Sequence, residues 1–137
     1  MRTDRWRIGL AALFTISGTA HFVAPSPFAG IVPPFLGPPL PYVAVSGAAE
    51  LACALGLFAR PPRVRRVAAW ASTALLVAVF PANVYMAMTA FSEPHGAGYR
   101  AATLARLPLQ VPLIWAAVAI WQVERAKSGA VRAGANR

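Results

Sequence analysis

Acidic residues are almost missing from this chain: four Asp and Glu stand against thirteen Lys and Arg, and charged residues of both signs make up only 12% of 137 positions. An average soluble domain carries about twice that share of charge, so water is not this chain's main solvent. Cysteine is equally scarce. The single Cys53 can form neither an internal disulfide nor a Cys-x-x-Cys redox pair. No P-loop, dinucleotide fingerprint or haem-attachment motif occurs, and one Cys with two His offers no metal-ligand spacing, so no metal site is expected. The formal charge of +9 would suit nucleic acid only if the cations formed one continuous face. They lie instead in short clusters flanking long apolar runs, the pattern that anionic lipids and the insertion machinery select. The expected partner is a bilayer and not a nucleic acid.

Apolar residues, at 58%, are what the chain has in excess. Four segments are apolar and long enough to approach the thickness of about 30 Å of hydrocarbon: residues 8–23, 42–59, 67–89 and 104–123. The expected fold is therefore all-α, a polytopic membrane four-helix bundle forming a single domain over residues 1–127, followed by a disordered basic tail at 128–137. Arg2, Arg5 and Arg7 precede the first span; Arg60, Arg63, Arg65 and Arg66 separate the second from the third; Arg125, Lys127, Arg132 and Arg137 follow the fourth. The positive-inside rule then places both termini in the cytoplasm, with Trp6, Trp70 and Trp121 near the cytoplasmic ends and Tyr42 and Tyr99 on the outer side. The first span also fits a cleaved secretory signal, because Arg5 and Arg7 precede an apolar stretch closing on Gly18, Thr19 and Ala20; a mature chain would then begin at His21.

The outer connection, 24–41, is uncharged and holds seven prolines, so one continuous helix is excluded. Phe28, Ile31, Val32, Phe35, Leu36 and Leu40 make it too apolar for a solvated loop. It is expected to rest in the outer interface, as a cap over the bundle or as a stiff linker on lipid headgroups. His95, beside Gly96 and Gly98, reads as a surface loop residue.

The informative residues are those that cost free energy inside lipid: His21, Glu50, Asn83, Arg106 and Gln110. At 1.5 Å per residue, Glu50 lies about 12 Å and Asn83 about 9 Å from the outer ends of their spans, with Arg106 and Gln110 within about 10 Å and His21 close to the outer end. Five polar groups from four helices in one outer third suggest one shared site. A lone charge at depth costs at least about 2.5 to 3.5 kcal/mol, so Glu50 and Arg106 are expected to pair, as a functional site or as a clamp between helices. Asn83 and Gln110 suit packing hydrogen bonds, and Cys53 suits a small buried apolar role. Ser17 with His21, and Arg106 with Gln110, are four apart and share helix faces. Pro81 should kink the third span near Asn83 by freeing the carbonyl of Val77. Ala44, Ala48, Ala52 and Gly56 form a small-residue stripe that would admit a neighbouring helix.

His21-Phe22, Ile31-Val32-Pro33-Pro34, Ser46-Gly47 with Glu50, Pro81-Ala82-Asn83 with Tyr85-Met86, and Arg106-Leu107-Pro108-Leu109-Gln110 together resemble the DoxX family of small bacterial membrane proteins, over residues 8–122. The resemblance implies a four-helix bundle in the bacterial inner membrane, associated with quinone-linked oxidoreductases. On that footing the expected function is an accessory or subunit of a membrane redox system, with a quinone as the candidate ligand. His21, Arg106 and Gln110 would donate to its carbonyl oxygens, and Glu50 would exchange a proton. A small-molecule or proton-coupled transporter, needing oligomers because four spans carry no evident repeat, is one alternative. A non-catalytic scaffold whose basic loop recruits a partner is another. Whether the chain is an enzyme, and which residues would be catalytic, does not follow from the sequence.

Overall fold

A computed structural model describes the backbone over residues 2–92 and 94–135, and the side chains over 3–92 and 94–129. Arg137, placed in the basic tail above, lies outside the described residues. The described chain is all-helical: α1 (Arg2–Val23), α2 (Pro25–Ala29), α3 (Pro39–Phe58), α4 (Pro62–Ser92) and α5 (Ala97–Ala135), with a single 3-10 turn at Pro34–Leu36. Prolines set most of these boundaries. Pro25, Pro39 and Pro62 each open a helix, where the missing N–H is no loss. Pro81, Pro108 and Pro112 lie inside α4 and α5, each removing one rung of the ladder. Gly37, at φ 85, supplies the left-handed turn that lets the chain double back into α3.

α1 packs on α3, α3 on α4, α4 on α5, and α5 returns to α1, so the four long helices close a ring in which α3 and α5 stand diagonally opposed. Its interior is small and apolar: Leu10, Ala11 and Phe14 of α1 meet Ala54 and Leu57 of α3, Ala69 and Leu76 of α4, and Ala117 and Ile120 of α5. The outside is apolar as well, with Ile16, Val45, Leu55, Val77, Leu109 and Val111 all exposed. A water-facing surface does not carry such residues on every helix; a lipid-facing one does.

Among the described residues, three helices, not four, are long and apolar enough to cross a membrane: α3, α4 and the Ala97–Gly129 part of α5. α1 falls short because its helix starts at Arg2, carrying Asp4, Arg5 and Arg7 in its first two turns, which leaves only residues 8–23 as an apolar stretch against the roughly 20 residues a span requires. α5 runs past Ser128, whose hydroxyl donates to the Glu124 carbonyl at 2.7 Å, and continues to Ala135 where an unstructured tail was expected.

Close approach occurs at other positions than the expected stripe. Ala44, Ala48 and Ala52 are exposed, and Gly56 of that set meets Ala68 of α4. The tightest crossing joins α1 to α3 at Gly18 and Gly47: a Cβ on Gly18 would lie 2.9 Å from the Gly47 carbonyl oxygen, and one on Gly47 would lie 2.6 Å from the His21 Cβ. Neither neighbour can rotate away, since one is backbone and the other is fixed to it. Gly47→Ala should therefore destabilise the protein by about 1 to 3 kcal/mol, whereas Gly9→Ala, which meets nothing within 4 Å, should be neutral or stabilising through helix propensity; thermal unfolding in detergent compares the two.

Candidate functional site

The Gly18 and Gly47 crossing decides which polar groups meet. His21 lies one turn beyond Gly18 on α1, and Glu50 lies three residues beyond Gly47 on α3, so the close approach carries both into the same interhelical seam. Both are buried, at 8% and 9% exposure, with His21 Nδ1 at 3.6 Å from Glu50 Oε2. His21 Nδ1 also lies 2.8 Å from the Ser17 carbonyl oxygen. A carbonyl only accepts, so Nδ1 carries the proton and donates it there, and in the neutral imidazole Nε2 holds the free lone pair. Phe28 of α2 stacks on the imidazole, centroids 3.8 Å apart. The proline-rich outer segment thus lays an aromatic ring over the pair.

Glu50 Oε2 is buried and has no hydrogen-bond partner among the described residues. Buried carboxylate oxygens ordinarily find a donor, and one left without a donor marks a place where a proton, a water or a ligand group fits.

The remaining polar residues do not join this pair. Asn83 Nδ2 donates to Gln110 Oε1 at 2.8 Å, and Gln110 Nε2 donates to the Leu76 carbonyl. Leu76 and Asn83 are seven residues, about two turns, apart on one face of α4, so a single Gln side chain from α5 spans both. Arg106 is exposed, and its Nη1 lies 3.7 Å from Met86 Sδ. The expected ion pair between Glu50 and Arg106 is not formed. Its two helices, α3 and α5, are diagonal in the ring, and Arg106 sits on the outer side of α5, where a long side chain can reach toward the interface. The five residues therefore form two separate pairs and one surface cation. Cys53 is buried one turn from Glu50. His95 stacks on Tyr99 at 4.2 Å between centroids. Among the described residues, no three His, Cys, Asp or Glu side chains converge on one point.

A second buried charge was not anticipated from the sequence. Glu124 of α5, 2% exposed, is held by Arg65 Nη2 at 2.8 Å and Lys127 Nζ at 3.0 Å. Arg65 Nη1 also donates to the Ala59 carbonyl at 3.1 Å, and Arg7 Nη1 donates to the Leu57 carbonyl at 2.7 Å. Guanidinium groups from α1 and α4 thus satisfy the last carbonyls of α3, at the negative end of its dipole. The only signal in the sequence was that Glu124 stands amid cations, which does not say that it is buried.

With its apolar surface and buried polar seams, the chain has the character of a helical membrane protein. It belongs to the family described as Domain of unknown function (DUF8561), which it matches over residues 10–121. This corrects the resemblance to DoxX: the family found is a different one, and the motif pieces behind that resemblance are runs of only two to five residues, too short to fix a family. No curated protein and no solved structure matches the chain.

Removing Arg65 would leave the enclosed Glu124 with the half-exposed Lys127 still paired to it. Arg65→Met should cost about 1.5 to 3 kcal/mol, and Arg65→Met with Glu124→Leu should recover much of that loss; chemical unfolding of both variants in detergent measures the difference.

Proposed function

We propose that this chain is a multi-pass protein of the bacterial cytoplasmic membrane, a four-helix bundle with both termini inside. In this reading its His21–Glu50 seam holds the polar head of a small membrane-soluble ligand. What supports the membrane setting is the apolar exterior of all four long helices together with three helices of spanning length and composition. What supports the orientation is the sequence distribution of arginine, with Arg5, Arg7, Arg60, Arg63, Arg65, Arg66 and Arg125 at one end of the bundle. α1 completes the four spans by burying its shorter apolar stretch against α3 and α5, its arginines reaching toward the interface.

The observation that carries the ligand reading is the unpartnered, buried Glu50 Oε2 beside an imidazole whose Nδ1 proton is already committed to Ser17. The unpartnered Glu50 Oε2 is complemented by a ligand that donates a hydrogen bond. Among lipid-soluble carriers, a quinol has this property: a flat apolar ring, suited to packing beside Phe28, with hydroxyls to donate. The protein would then serve as an accessory of a membrane redox system, holding quinol for a partner oxidoreductase. Arg106 and Gln110 take no part, since one faces outward and the other is occupied by Asn83 and Leu76.

Titrating a short-chain quinol into nanodisc-embedded protein tests this reading. Wild type should bind it saturably, and Glu50→Gln, which trades an acceptor oxygen for an amide donor, should weaken binding about tenfold or more. No binding, or equal affinity in the two proteins, would contradict it.

A further inference from the structure

At the end of the ring opposite His21, α4 and α5 leave a cleft of about 290 Å³ lined by Arg66, Val67, Trp70, Trp121 and Arg125. Its chemistry differs from the rest of the surface. Two guanidinium groups face one opening, and Arg125 lies over the Trp121 ring at 5.3 Å from its centroid. The carboxylate adjacent in sequence, Glu124, is taken by Arg65 and Lys127. Arg66 and Arg125 have no ion-pair partner among the described residues. Trp70 is 62% exposed, an arrangement that costs little where indole rings meet lipid headgroups. Val67 also borders a second, apolar groove of about 480 Å³ between α3 and α4, floored by Gly56 and Ala71. The small side chains there leave room for a hydrocarbon chain.

We infer that this cleft binds the phosphate of an anionic phospholipid, with Arg66 and Arg125 clamping the headgroup and the neighbouring groove receiving an acyl chain. Guanidinium groups bind phosphate oxygens through paired, charge-assisted hydrogen bonds. The flanking tryptophans set the depth at which a headgroup resides. The groove reached past Val67 is what separates a lipid from a free phosphate ion, which would have no use for it. This inference rests on the membrane reading above but is independent of the His21–Glu50 seam.

Native mass spectrometry of the detergent-solubilised protein with added phosphatidylglycerol or phosphatidylcholine tests it. Phosphatidylglycerol should be retained in preference, and Arg66→Gln with Arg125→Gln should reduce that retention about tenfold or more, each cation near a lipid surface contributing a severalfold factor. The control pair Arg5→Gln with Arg60→Gln, which lowers net charge equally outside the cleft, should retain most of it. In the wild type, phosphatidylglycerol brominated on its acyl chains should quench tryptophan fluorescence more than the brominated phosphatidylcholine does, a readout that depends on no variant. Equal retention of the two lipids, or equal losses from both variant pairs, would overturn the site. Displacement of the lipid by millimolar inorganic phosphate would assign the cleft to free anions instead and overturn the lipid assignment. A chain that stays soluble and monodisperse without detergent would contradict the membrane reading itself, a failure distinguishable from a cleft indifferent to lipid charge.

Discussion

The close approach of α1 and α3 at Gly18 and Gly47 is the constraint on which the candidate site depends. A helix pair separated by ordinary side chains stands about 8 to 10 Å apart. Two glycines facing each other let the backbones come nearer, and the polar groups one turn further along, His21 and Glu50, are then forced together. Neither could be tolerated alone in an apolar interior. Brought together, they lie within 3.6 Å of each other, while the His21 Nδ1 proton is held by the Ser17 carbonyl and Glu50 Oε2 keeps no donor of its own. The site is thus a consequence of backbone packing, and Phe28 over the imidazole closes its outer side.

The rest of the polar inventory follows the same economy. Asn83 and Gln110 satisfy each other and the Leu76 carbonyl of α4. Arg7 and Arg65 spend their guanidinium groups on the carboxyl end of α3, and Glu124 is enclosed by cations from two helices. These contacts hold the ring together where its core is thin, since Ala11, Ala54, Ala69 and Ala117 fill much of the interior and bury little area each. Association of helices in lipid relies on such close packing and interhelical hydrogen bonds, because burial of apolar surface offers no gain over contact with acyl chains.

Much of the helical layout was legible in the sequence, because apolar length and proline punctuation act locally. The helices overlap the four apolar segments, and the break between Val23 and Pro39 falls where the prolines cluster. The depth and identity of the costly polar residues were legible for the same reason. Their pairing was not. Glu50 and Arg106 looked complementary by charge and depth, but charge and depth do not say which helices are neighbours, and the ring sets α3 diagonal to α5. The alanine stripe on α3 misled in a similar way, since small residues permit an approach without requiring one, and the approach occurred at Gly47. Glu124 escaped notice because a carboxylate amid cations reads equally well as a solvated surface residue. The family assignment failed on motifs too short to fix a family.

Dipolar recoupling by solid-state NMR, between a nitrogen label at His21 Nδ1 and a carbon label at the Glu50 carboxyl in lipid bilayers, tests the central claim most directly. The contact of 3.6 Å between Nδ1 and Oε2 predicts a resolvable direct coupling. Its absence, or a coupling of the Glu50 carboxyl to the Arg106 guanidinium in its place, would contradict the account.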